Sequence, residues 1–246
     1  MIGLSRKRSS VAVSALLIGA LLHGGSAGAI APEATDVSRF VLKGASATWW
    51  SLGDPKGTSV EISLQEERDH DIPGRPVTDE LMFVVVQQSF CDQATDEVVF
   101  RQFSAFEQAD VNIRPSLQSA SVDESITLDG FEARAPGCED SGLFEFTNLG
   151  DFVVRVSAQW SGVGPLQRSR DDVKALPTCK AWSADSFRDA TAMGSITGDL
   201  DIGGLGTTES PDANLISFTR KTLTKDGEDC LLRSGAATRR TLLAGR

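Results

Sequence analysis

The stretch FVVRVSAQW, residues 152–160, has an apolar side chain at every second position, with Arg155, Ser157 and Gln159 between them. Successive side chains of a β-strand point to opposite faces of a sheet, so this period of two predicts a strand with one buried face. Trp160 then belongs to the buried face. A helix would need a period of 3.6, which this segment does not have. No other feature of the sequence restricts the fold as strongly.

Similar alternation recurs along most of the chain, and residues typical of turns separate the runs. The alternating runs are residues 60–64, 109–113, 126–128 and 215–220, and Gly- and Pro-containing turns are found at residues 53–55, 72–76 and 135–137. Many strands with turns at short intervals predict an all-β fold, either an antiparallel β-sandwich or a barrel.

Two segments depart from this pattern. Residues 81–86 are apolar on both faces, which predicts a central strand that is covered on both sides. Residues 169–176 are a candidate for one of a few short helices.

The N-terminus has the layout of a secretory leader. Arg6, Lys7 and Arg8 precede an apolar stretch, residues 11–22, which is followed by small residues up to Ala29. The stretch is shorter than the roughly 20 residues that a membrane-spanning helix needs. We expect residues 1–29 to be a signal peptide and residues 30–246 to be a single secreted, β-rich extracellular body without a transmembrane segment. The alternative is an uncleaved N-terminal anchor.

The four cysteines, Cys91, Cys138, Cys179 and Cys230, indicate two disulfides if the chain is exported. No C-x-x-C spacing is found and histidine is scarce, so a zinc site is not indicated. If the chain consists of two similar halves, the simplest pairing is Cys91 with Cys138 and Cys179 with Cys230. Free buried thiols are the alternative.

Two short stretches raise the question of an internal duplication. SATW at residues 46–49 resembles SAQW at residues 157–160, which would divide the chain into halves 36–142 and 143–234, with 235–246 as a flexible tail. A chance likeness between two strands of common composition explains the same observation. If the likeness is real, Trp49 faces the core as Trp160 does.

The residue after Trp49 is the candidate binding residue. In a strand, Trp50 shares the face opposite Trp49 with Thr48 and Ser46. Trp50 is then either exposed, where it could stack on a sugar ring or anchor a partner, or covered by a loop or by the other half. The sequence leaves both alternatives open.

The sequence offers little support for catalysis by a histidine base or for a metal site. The body retains a single histidine, His70, between two carboxylates that would favour its charged form, which suits a general base poorly. Asp199 and Asp201 imitate the start of a calcium loop, but the glutamate that would close such a loop is missing. We expect no cofactor other than this weak calcium candidate.

The acidic composition also limits the partners. The formal net charge is −10, and loss of the leader removes three basic residues and no acidic one. Phosphates would be repelled, so we expect no nucleic-acid partner. The sequence favours an exported, non-enzymatic protein that binds an unknown extracellular or cell-envelope ligand, a polysaccharide or a protein. The alternatives are a secreted carboxylate-dependent hydrolase and, if the sheet closes into a barrel, a small-ligand carrier.

Overall fold

The computed structural model describes residues 36–51, 57–69, 77–138, 143–176, 179–200 and 202–224. Within these ranges the chain forms nine strands of one antiparallel sheet and no helix, which confirms the all-β prediction. The same ranges contain no helix that is long and apolar enough to cross a membrane.

The strands follow one another along the chain with short connections. They are β1 (Asp36–Ser51), β2 (Gly57–Asp69), β3 (Val77–Asp92), β4 (Glu97–Gln108), β5 (Asn112–Ile113), β6 (Ser119–Pro136), β7 (Glu145–Leu176), β8 (Cys179–Gly198) and β9 (Gly203–Thr224).

The strand pairings close the sheet on itself. The order is β4-β3-β2-β1-β9-β8-β7-β6-β5, and β4 also pairs with β6 over Glu97–Ser104 and Asp129–Pro136. Every described strand except the two-residue β5 therefore has a neighbour on each side. The sheet is ring-like, with an inner and an outer face.

The inner face holds one continuous apolar core. Val154, Val156, Ala158 and Trp160 of β7 are all buried in it, as the alternation of residues 152–160 predicts. Trp49 of β1 is buried in the same core. Every strand of the ring contributes residues to this core or packs against it, because period-two alternation places every second side chain inside.

Two sequence predictions about secondary structure are wrong. Residues 81–86 are not covered on both sides: Met82, Val84 and Val86 are buried, whereas Phe83 on the outer face is 36% exposed. The outer neighbours of Phe83 are Ser63 and Phe106 of the adjacent strands, and the described residues form no second layer over them. Residues 169–176 are part of β7 and not of a helix, because β8 pairs along this segment.

The connection between β4 and β6 folds over the core instead of continuing the alternation of residues 109–113 as a full strand. Val111, Ile113 and Leu117 of this connection are buried in the core. Lys43 of β1 donates a hydrogen bond from Nζ to the carbonyl oxygen of Ile113 at 3.4 Å. It also forms an ion pair with Glu66 of β2 at 2.8 Å. Lys43 therefore helps to hold the connection over the core.

Ion pairs on the inner face reinforce the β4–β6 seam. Arg101 of β4 contacts the Glu132 carboxylate of β6 at 2.6 Å, and Arg134 contacts the same carboxylate at 2.6 Å. Arg134 also reaches back across the seam to Glu97 at 3.0 Å. Glu132 is only 7% exposed, so its charge needs these two guanidinium partners.

A disulfide joins strands on the two sides of β4. Cys91 at the end of β3 is bonded to Cys138 just after β6, with Cα atoms 5.6 Å apart. This confirms one of the two expected pairs. Of Cys179 only the backbone is described, and Cys230 lies outside the described residues, so the second pair stays a prediction.

The seam ion pairs make stability depend on pH in a defined direction. Hydrogen bonding by Arg134, together with Arg101 and against the effect of desolvation, lowers the pKa of Glu132. A carboxyl with a lowered folded-state pKa stabilises the fold above its unfolded pKa of about 4.3 and loses this contribution as the pH falls through the folded value. We expect Glu132→Gln to lower the free energy of unfolding at neutral pH by about 1–2 kcal/mol, and the deficit to shrink in acid.

Urea unfolding at neutral and at acid pH measures this effect. The control is Asp123→Asn, which breaks the exposed pair of Asp123 with Arg155 (2.7 and 2.8 Å) on the outer face of the same strand. Exposed pairs contribute little, so this variant should stay near wild type at neutral pH. An equal loss in both variants, or a Glu132→Gln deficit that is unchanged in acid, would contradict a seam held by this carboxylate.

Candidate functional site

Adjacent tryptophans on β1 have opposite environments. Trp49 points into the core, is 5% exposed and donates a hydrogen bond from Nε1 to the carbonyl oxygen of Gly206 at 3.2 Å. Trp50 points outward and is 64% exposed. The strand period thus separates two chemically identical side chains into a structural one and an accessible one.

Polar side chains surround Trp50 on the outer face. The pairing of β1 with β2 places Ser59 opposite Trp50 and Glu61 opposite Thr48. Ser46 lies on the same face and donates a hydrogen bond from Oγ to Asn214 Oδ1 at 3.4 Å. We call Ser46, Thr48, Trp50, Ser59 and Glu61 the Trp50 patch. The three candidate residues of the sequence analysis therefore do share one face.

The structure also contains an aromatic groove on the outer face of β4, β6 and β7, which the sequence analysis missed. Its volume is about 570 Å³, and it is lined by Ser104, Asp129, Gly130, Phe131, Phe146, Thr147 and Asn148. We call it the Phe131–Phe146 groove. Phe146 is 73% exposed, and the Phe131 ring packs against Phe100 with centroids 5.9 Å apart.

A register irregularity between Gly130 and Phe131 shapes the groove. The pairing of β6 with β7 steps from Gly130–Gly150 to Phe131–Asn148, which omits Leu149 from the ladder and leaves it packed against the core. Position 130 must be glycine because a Cβ atom there would lie 2.8 Å from the Phe152 ring and 2.9 Å from the Phe103 ring. The groove therefore lies directly outside a closely packed part of the core.

The sequence carried only a weak signal for this groove. Phe144 and Phe146 follow the alternating pattern that elsewhere marks a buried face, yet both point into solvent. Alternation shows that two faces differ, but it does not show which face a second layer covers.

Carboxylates line a second surface pocket. Its volume is about 390 Å³, and it is lined by Thr78, Glu80, Gln108, Ala109, Asp110 and Glu124. Glu80 accepts a hydrogen bond from the backbone N–H of Val111 at 3.1 Å, so it helps to hold the β4–β6 connection. The same end of the ring is acidic on its outer face, where burial and then Asp79 and Asp69 raise the pKa of Glu67.

The calcium candidate is described only in part. Asp199 accepts a hydrogen bond from the backbone N–H of Val153 at 2.9 Å, in the bend between β8 and β9. Asp201 and His70 lie outside the described residues. Among the residues that the structure describes, no group of three or more His, Cys, Asp or Glu side chains could hold a metal ion.

Comparisons with protein-family models, with curated proteins and with solved structures give no match to this chain. The function must therefore be inferred from the described surface itself.

The two tryptophans on β1 provide a matched test of the site. Trp49→Ala should lower the free energy of unfolding by about 3–5 kcal/mol, because it empties core volume and removes the hydrogen bond to Gly206. Trp50→Ala should change it by less than about 0.5 kcal/mol, because the ring is exposed. Chemical denaturation of both variants checks this; equal losses would show that Trp50 is a packing residue and would remove the Trp50 patch as a candidate.

Proposed function

We propose that this chain is an exported, non-catalytic protein that binds a polysaccharide of the cell envelope or the surroundings through the Trp50 patch. The observation that supports this most directly is the exposure of Trp50 beside a tryptophan that the core does use. A large exposed ring with polar neighbours has the form of a stacking site and is not needed for packing.

The chemistry of the Trp50 patch suits a sugar ring. The apolar C–H face of a hexose can stack on the indole, while hydroxyl groups exchange hydrogen bonds with Ser59, Thr48 and the Glu61 carboxylate. Because the patch lies on paired strands, its geometry is fixed before binding, which lowers the entropic cost of binding.

Export and the second disulfide belong to the same proposal. The leader-like residues 1–29 and the disulfide between Cys91 and Cys138 both support an oxidising compartment. We propose that Cys179 pairs with Cys230 in that compartment.

A carboxylate-dependent hydrolase is the second candidate, and the pocket that contains Glu80, Asp110 and Glu124 favours it. Two carboxyl groups about 5 to 9 Å apart across a cleft can hydrolyse a glycosidic bond. A binding protein and a hydrolase differ in what happens to the sugar, so release of reducing ends during incubation distinguishes them.

Tryptophan fluorescence titration of the mature protein with soluble cell-wall polysaccharides and their oligosaccharides tests the proposal. We expect a saturable change that Trp50→Ala abolishes. The control is Val153→Ala, which shortens a comparably exposed apolar side chain on β7 and should bind as wild type does. Binding that survives in Trp50→Ala, or no saturable binding by any variant, would contradict the proposed site.

A further inference from the structure

The Phe131–Phe146 groove combines aromatic surface with polar groups that the fold does not use. Phe146 is the most exposed phenylalanine of the described residues. Near it, the hydroxyl group of Ser104, which lies opposite Asp129 on the outer face, has no hydrogen-bond partner among the described residues. Asn148 uses its Oδ1 to accept a hydrogen bond from Gly150 N–H at 2.6 Å, which leaves its NH₂ group available to a ligand.

The charge at the groove is negative and uncompensated. Asp129 lines the groove, and the pairing of β6 with β7 places Asp151 directly opposite it on the outer face. Carboxylates so placed lie roughly 5 Å apart at Cβ and repel each other. Neither has an ion-pair partner in the described chain, and no lysine or arginine lines the groove.

The contrast with Asp123 on the same strand shows that this is not general for β6. Asp123 also lies opposite β7 on the outer face, but Arg155 binds both of its carboxylate oxygens. Arg155 of β7 therefore neutralises Asp123, whereas Asp129 on the same face of β6 lies beside two phenyl rings without such a partner among the described residues. A cationic group on a ligand would supply the missing charge, and the adjacent ring face would also attract it.

We propose that the Phe131–Phe146 groove binds a sugar with a free, protonated amino group, such as a glucosamine unit of a partly deacetylated polymer. The pyranose ring stacks on Phe146, the ammonium group pairs with Asp129, and the sugar hydroxyl groups bond to Asn148 and Ser104. A volume of about 570 Å³ accommodates one or two such units.

This site is separate from the Trp50 patch. Trp50 lies on β1, whereas the groove lies on β4, β6 and β7, with β2 and β3 between them on one side of the ring. The inference shares the idea of a sugar ligand with the proposed function, but it rests on different residues. A chain with both sites could bind two polymer strands.

Isothermal titration calorimetry of the full mature protein with the glucosamine tetramer and with the N-acetylglucosamine tetramer tests the proposal. We expect the wild type to prefer the free-amine tetramer by about tenfold, the worth of one charge-assisted hydrogen bond. Asp129→Asn should remove this preference. Phe146→Ala should weaken binding of the free-amine tetramer by a similar factor through loss of stacking. Asp123→Asn is the matched control and should bind as wild type does.

Each outcome decides a separate point. Equal affinity for the two tetramers, or no effect of Asp129→Asn, overturns the proposal. Equal binding of tetralysine at this groove also overturns it, in favour of a site for cations in general. Trp50→Ala is measured in parallel: its loss of polysaccharide binding tests the proposed function, whereas the preference for the free amine tests the groove, so either can fail alone.

Discussion

The pairing of β4 with β6 is the interaction on which the rest of the structure depends. Without it the described sheet would have two free edges, and the apolar side chains of alternating positions would not face an enclosed core. With it, the alternation of each strand becomes a division between a closed core and an outer surface. The ion pairs Arg101–Glu132 and Arg134–Glu97 cross the same seam, and the disulfide from Cys91 to Cys138 spans β4 beside it.

The ring explains why function should be sought on its outside. The inner face is filled by a continuous cluster of apolar side chains, with Lys43 and Glu66 near one end and the Glu132 ion pairs near the other. Side chains on the outer face do not pack in this core, so they are accessible to a ligand. Among the described residues, the largest apolar side chains with more than half of their surface exposed are Trp50, Phe146 and Phe106.

The sequence was informative where burial follows directly from alternation. It predicted the strand around Trp160, the opposite environments of Trp49 and Trp50 as one of two alternatives, and the pair Cys91–Cys138. It failed where tertiary context decides. Residues 81–86 are apolar on both faces, yet only one face is covered, because none of the described residues forms a second layer on β3. Residues 169–176 carry enough charge to resemble an exposed helix, but pairing with β8 keeps them extended. The groove depends on a register irregularity at Gly130 and on pairing between distant strands, neither of which a local pattern encodes.

The most direct test of the ring is native-state amide hydrogen exchange across the β4–β6 seam. If the seam closes the sheet, the hydrogen-bonded amides of residues 97–104 and 129–136 should be protected as strongly as those between β1 and β2, and all should exchange through global unfolding. If the seam amides exchange through local opening, much faster than those of β1 and β2, then the sheet is open at this edge and the division into a closed core and an outer surface does not hold.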